Sequence, residues 1–318
     1  MNLVTLRSFR QLGGLLLLSL IWGSTWAAIR ISVQCMPVLR SVALRFLIAS
    51  VVLVLVMKLR REAFPPLRDL PMLIGFSLVT IVVPFNIIAW SSKRVSSGLT
   101  SVLFSASPLI VLLIEFVSFS PPQRPRFNAR LIFGLVAGLS GIALIMHSAS
   151  STTSQGSGVV GIVLVVVMGS WSSVLAQRKL RHLSPLTVSA CLSTCASVIV
   201  GAASLFMDRG RPSTWTIHAV SALLFLGLVS SALGFFLFYW LLRDVRPYQL
   251  ASRYLLMPVI AVSEGVLFLG ETISFAFVAG AVCILVSLVP ILSEVTPKIL
   301  PRPNSRTGAI GGTLSGVD

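Results

Sequence analysis

The chain has 318 residues, 55% of them hydrophobic and only 11% charged, with a mean hydropathy of +0.95. A soluble chain of this length carries far more surface charge, so the composition excludes an ordinary globular enzyme or binding module. The net charge of +16 does not mark a nucleic-acid partner, because the basic residues sort by side of a membrane rather than into one patch.

In chain order, ten apolar stretches come close to the ~20 residues that cross a bilayer. They cover residues 11–30, 38–57, 70–91, 97–118, 129–147, 157–177, 186–206, 217–240, 248–268 and 274–293. The expected fold is an all-α membrane protein of ten transmembrane helices. Arg7 and Arg10 precede the first stretch in the manner of a secretory leader, yet a cleavable apolar region is short and lacks Trp22, Trp26 and Arg30 near its end. The first stretch is therefore read as a helix that stays. With residues 1–10 in the cytoplasm, the inside segments hold seventeen Lys and Arg and the outside loops six, Arg30 and Arg40 counted among the latter. That bias puts both termini in the cytoplasm of a cell inner (plasma) membrane protein and makes anionic lipids of the cytoplasmic leaflet its surface partners.

Individual residues stand out within the spans. Arg45 in the second and Arg253 in the ninth are cations inside apolar runs, and Glu115 and Glu264 are the carboxylates well inside spans. Each costs roughly 2.5–3.5 kcal/mol at mid-membrane, so each should face a cavity or a partner. Arg45 either binds a substrate carboxylate or pairs with Glu115 or Glu264; Arg253 either lines a cavity or snorkels to the headgroups. The carboxylates are candidates for proton coupling or for helix pairing. In "RYLLMPVIAVSEGVLFLGE" (253–271), Arg253 and Glu264 fall within about 20° of each other on a helix and ~16 Å apart along it, and Glu271 continues the stripe. Pro258 frees a backbone carbonyl near Tyr254, and Pro108 does the same in the fourth span; both are read as hinges or as static kinks. Trp22, Asn86, Trp90 and Trp171 complete the substrate-binding candidates, with an interfacial belt as the plainer role for the tryptophans. Cys35, Cys191, Cys195 and Cys283 form no CxxC pair or Cys/His cluster, so they read as packing residues, and no metal or cofactor is expected.

An internal repeat organises these features. "AWSSKRVSSGLTSVLFSASPLIV" (89–111) lies over "YWLLRDVRPYQLASRYLLMPVIA" (239–261) at a constant offset of 150, pairing Trp90 with Trp240, Phe104 with Tyr254 and Pro108 with Pro258. "FGLVAGLSGIALI" (133–145) resembles "FAFVAGAVCILVS" (275–287). The chain is thus read as residues 11–147 and 157–293, two five-helix halves joined by a linker at 148–156 and followed by a Pro/Gly-rich cytoplasmic tail at 294–318. Five is odd, so the second half enters from the opposite side and the repeats are inverted. Inverted halves can exchange conformations around a site near the midplane, which is the topology of a transporter.

"IWGSTWAAIRI" (21–31), "LRFLIAS" (44–50), the Pro108 and Pro258 segments and "LGETIS" (269–274) resemble the EamA family of the drug/metabolite transporter superfamily, over residues 13 to 292. The resemblance implies a ten-helix inverted-repeat permease that exports amino acids or other small metabolites; multidrug efflux, a channel and lipid handling are the alternatives. One departure stands out. The family's Gly-Glu pair is present as Gly270-Glu271, but the equivalent first-half positions are Ser120 and Pro121. No Walker A, GxSxG, HExxH or intramembrane aspartyl pair is present, which argues against ATP-driven pumping and against an enzyme.

Overall fold

The computed structural model describes residues 3–95, 97–118, 128–148, 156–257, 259–260, 275, 278–280, 282–283 and 286–287. Helices make up the secondary structure of these residues, and no strand occurs among them. Six helical runs are long and apolar enough to cross a membrane: Phe9–Cys35, Val38–Leu59, Leu67–Ser91, Gly156–Lys179, Pro185–Met207 and Ile217–Leu242. The protein is a multi-pass membrane protein.

The first run is two helices, α1 (Leu3–Gly23) and α2 (Thr25–Cys35), with Ser24 between them. The Ser24 amide still bonds to the Leu20 carbonyl at 3.1 Å, so the chain continues. The Ser24 and Thr25 hydroxyls also donate back to the carbonyls of Leu20 and Ile21, a competition that bends helices. The run extends beyond the expected residue 30, which places Arg30 on an exposed helical face instead of in a loop.

Helix α3 (Val38–Leu59) begins after Pro37 and ends in a Schellman turn: Glu62 N–H donates to Met57 O and Arg61 N–H to Lys58 O, with Arg61 at φ 53°. The third run is one 3₁₀ turn at Leu67–Asp69, α4 (Leu70–Ser77), a π-helical stretch at Leu78–Val82, and α5 (Val83–Ser91). Pro84 explains the π stretch, because it has no N–H for the carbonyl one turn earlier and its ring crowds that turn. The expected fourth span is broken into α6 (Ser97–Phe104) and α7 (Ser107–Ser118). Ser105 and Ala106 form the break, and buried Pro108 stands at the second position of α7, where a missing N–H costs nothing. Helix α8 (Ala129–Ser148) starts with the Asn128 side chain accepting from Leu131 N–H at 2.7 Å.

Helices α9 (Gly156–Lys179) and α10 (Pro185–Met207) follow, the latter capped by Ser184, whose hydroxyl accepts from Thr187 N–H. The next run is α11 (Ile217–Leu224), a π-helical stretch at Phe225–Leu233, and α12 (Gly234–Leu242). Helix α13 (Pro247–Ala251) leads into helical residues 253–257. The two π-helical stretches overlap at an offset of 150, where Pro84 in one run meets Gly234 in the other.

Packing is antiparallel and reciprocal. Along α3 and α10, Arg40 meets Asp208, Ser50 Oγ meets Thr194 Oγ1 at 2.6 Å, and Glu62 accepts from Ser184, so one helix runs against the other. The α1–α2 run packs on α11–α12, from Gly14 against Trp240 to Cys35 O against Thr214 N–H. The α9 helix packs on α5 in the same sense, Gly161 against Ser91 and Gly158 against Val95. A side chain at Gly158 would come within 2.6 Å of Val95, so glycine permits the close approach that substitutes for hydrophobic drive between helices in lipid. Leu47, Val51, Leu55, Val160, Leu164, Val198 and Leu205 remain exposed, the outward faces that such helices turn to acyl chains.

Candidate functional site: a cavity walled by both halves

Between these helices lies a cavity of about 700 Å³ of empty space, its mouth included. Its wall comes from α1, α2, α3, both π-helical runs, α6, α9 and residues 253–257. Four pairs of lining residues stand 150 apart: Thr80 and Ser230, Phe85 and Phe235, Ile88 and Phe238, Phe104 and Tyr254. Two of these pairs touch, Phe85 with Phe235 at 5.8 Å between ring centroids and Phe104 with Tyr254 at 5.3 Å. Residues at matching positions in the repeat can meet only near the axis that relates them. The cavity therefore sits where the repeated segments face one another.

Arg45 enters this space from α3 and is only 3% exposed. Its Nε donates to Ser231 Oγ at 2.6 Å and its Nη2 to Ser230 Oγ at 2.9 Å, and its guanidinium lies 4.6 Å from the centroid of Phe85. The hydroxyls beyond it have a definite direction. Thr25 gives its proton to Ile21 O, so Ser230, which accepts from Arg45, donates onward to Thr25 at 2.9 Å. Every bond in that chain points away from Arg45. Of the alternatives open to Arg45, an ion pair with Glu115 does not form, because α7 carries Glu115 to the N-terminus of α13, where its carboxylate accepts from Tyr248 N–H at 3.0 Å. There it satisfies an orphan helix donor and meets the positive end of the helix. Glu115 thus ties the first half to the second.

Arg253 is 3% exposed and does not snorkel. Its guanidinium is enclosed by Trp22 at 4.9 Å, Phe238 at 5.0 Å and Tyr254 at 4.2 Å, while it donates to Leu250 O and to the Tyr254 hydroxyl. Its Nε has no hydrogen-bond partner among the described residues. Trp22 connects the two arginines: its ring faces Arg253 and its Nε1 donates at 3.0 Å to the backbone carbonyl of Ser230, whose hydroxyl holds Arg45. Gly234 makes room for this, since a Cβ there would lie 2.5 Å from Trp22 Nε1. The carbonyl of Tyr254, four residues before Pro258, accepts instead from Ser105 Oγ at 2.7 Å, a bond that crosses to the break between α6 and α7.

Of the residues singled out in the sequence, Trp22, Arg45, Arg253 and Tyr254 meet in this cavity. Asn86, Trp90 and Trp171 do not. Asn86 turns its amide back to Val82 O at 2.7 Å. Trp90 is 38% exposed and stacks under Arg94, and Trp171 is 49% exposed on the side of α9 away from Gly169, Ser172 and Ser173, which do line the space. Pro258, Glu264 and Glu271 lie outside the described residues. Sequence reasoning missed Ser230, Ser231, Phe85 and Phe235. Carrying the offset of 150 back by nine residues, so that "TIVVPFNII" (80–88) lies over "SSALGFFLF" (230–238), aligns Thr80 with Ser230 and Phe85 with Phe235.

Known proteins resemble this chain. The EamA-like transporter family matches the chain twice, over residues 11–147 and 156–293. The protein PagO of Salmonella typhimurium is 27% identical over 250 residues, 78% of this chain and 81% of its own length. The uncharacterized transporter YoaV of Bacillus subtilis is 27% identical over 274 residues, 85% of this chain and 92% of its own. The uncharacterized inner membrane transporter YedA of Escherichia coli is 28% identical over 272 residues, 84% and 86% respectively. One crystal structure superimposes with a TM-score of 0.72 at 17% identity, covering 89% of this chain and 96% of its counterpart, a likeness of fold. With two matched repeats, six apolar spans and a cavity between them, the chain belongs to the EamA-like transporter family.

Proposed function

We propose that this transporter is a ten-helix permease of two inverted five-helix halves that moves a small organic solute by alternating access, with net export of amino-acid-like or related metabolites. The observation that carries this reading is the set of lining pairs 150 residues apart. A wall contributed equally by two related halves can open to one side by the same local motion that closes it on the other. The breaks fit the motion. Ser105–Ala106 interrupts the helix before Pro108, and the two π-helical stretches loosen the third span of each half where it meets the cavity. Trp22, Arg45, Arg253 and Tyr254 are the proposed substrate contacts, Glu115 a helix-pairing residue, and Glu264 and Glu271 the remaining coupling candidates. The proposed setting is the inner membrane, with both termini and the basic loops on the cytoplasmic side against anionic lipid.

Counterflow in liposomes tests the reading. Purified protein should exchange one class of small organic solute with saturation and trans-stimulation. Solute flux that rises linearly without saturation would indicate a channel, and exchange confined to bulky cationic drugs would move the assignment to multidrug efflux.

A further inference from the structure

Building on the carrier reading, and narrowing its solutes from amino acids to related metabolites without an amino group, we propose that the cavity selects an organic anion: a carboxylate on a flat apolar body, with no ammonium group. The charge inventory leads there. Arg45 and Arg253 both reach the cavity, and neither guanidinium meets a carboxylate among the described residues. The described acids nearest to being available are committed elsewhere: Glu62 to Ser184, Asp69 to His182, Asp208 to Arg211, Ser204 and the Arg40 backbone N–H, Glu115 to Tyr248 N–H. Two cations kept out of water without a counter-ion among the described residues are costly, and an entering anion removes that cost for both.

Unused donors point the same way. Arg45 commits two of the five N–H groups of its fork to Ser230 and Ser231. Arg253 Nε and Trp26 Nε1 are buried without acceptors among the described residues, and both atoms can only donate. A carboxylate, which only accepts and has about four lone-pair sites, complements that set. An ammonium does not. It would bring three more donors beside two guanidiniums, and the ring faces able to receive it, those of Phe85, Trp22, Phe238 and Tyr254, are already occupied by the arginines. The body of the ligand would lie among the ring pairs Phe85–Phe235 and Phe104–Tyr254, which favour a planar apolar group. The selectivity is thus for the acid of a molecule over its zwitterionic amino-acid relative.

The test uses the full-length protein and four probes sharing one phenyl ring: 3-phenylpropionate, phenylalanine, 2-phenylethylamine and 3-phenylpropionamide. Binding is read in detergent at neutral pH by quenching of tryptophan fluorescence, and exchange is read by counterflow in liposomes. The expected result is binding of 3-phenylpropionate at least tenfold tighter than of phenylalanine or the amide, and weakest binding of the amine. Arg45→Met and Arg253→Met should each bring the acid and the amide to within about threefold, while Arg45→Lys keeps part of the preference. Phenylalanine or the amine binding as tightly as the acid, or no binding of the acid at millimolar concentration, overturns the proposal from the unmodified protein alone. A preference for the acid that survives both Met substitutions overturns it as well. Binding of the acid without exchange supports the anion site and defeats the carrier reading, whereas exchange of phenylalanine in preference to the acid does the reverse.

Discussion

Arg40 and Arg45 stand on the same helix, five residues apart, and their surroundings are opposite. At the start of α3, Arg40 lies in a closed polar cluster. Its backbone N–H donates to Asp208 Oδ2 at 3.0 Å, its Nη2 to Asp208 O and its Nη1 to Arg211 O and Ser213 Oγ, while Ser204 also holds the buried Asp208 carboxylate. Arg45, deeper in the span, has two serine hydroxyls and an aromatic face but no acid among the described residues. The pair shows how a structural arginine differs from one kept for a ligand. The first has its donors taken up by carbonyls and a hydroxyl of its own fold, beside an Asp208 carboxylate that pairs with Arg211, and joins α3 to the end of α10. The second is positioned by neutral groups that fix its direction and leave its charge uncompensated.

Substituting each site separates the two roles. Arg45→Met should reduce solute exchange by about 100-fold, the equivalent of losing roughly 3 kcal/mol of charge-assisted bonding to the substrate, with a melting temperature in detergent unchanged or raised because an uncompensated buried charge is gone. A fall of many degrees would show that Arg45 is structural after all. Asp208→Ala should do the opposite. It leaves buried donors around Arg40 unmet and should lower stability by about 3 kcal/mol, read as a lower melting temperature, while exchange per folded molecule is retained.

Smaller perturbations sharpen the contrast within the cavity wall. Gly234→Ala forces Trp22 off its bond to Ser230 O and should cost about 1–2 kcal/mol. Its diagnostic is a shift in tryptophan emission together with weaker solute binding, since Trp22 also encloses Arg253. Ser105→Ala removes only the hydroxyl that caps Tyr254 O across the break, worth about 0.6 kcal/mol in a membrane interior. Thermal unfolding should barely register it. An altered exchange rate with unaltered binding would locate the contact in the conformational step.

Much of this was legible beforehand because lipid enforces local rules. A spanning segment must satisfy its backbone within itself and be apolar along its length, so the spans could be read from composition. Arg45 and Arg253 were visible because charge in an apolar run is expensive, and Tyr254 followed from the repeat. Asn86, Trp90 and Trp171 were misplaced for a related reason. In a span whose lipid face and inner face are both apolar, hydrophobic periodicity carries little direction, and Trp171 falls on the outer side of the same turn whose Gly169 and Ser172 face inward.

The sequence by itself determined that this chain is helical and membrane-embedded, that one segment is written twice at an offset of 150, and that two cations lie within its apolar runs. Those are properties of composition and spacing, and they survive any arrangement of the helices. Only the tertiary structure decided that Glu115 serves the end of α13 rather than Arg45, that Ser230 and Ser231 hold Arg45 in place, and that Phe85 meets Phe235. Each of those contacts joins residues more than a hundred positions apart. Their formation depends on the rotation and depth of whole helices against one another, which close packing between small residues sets and local sequence does not.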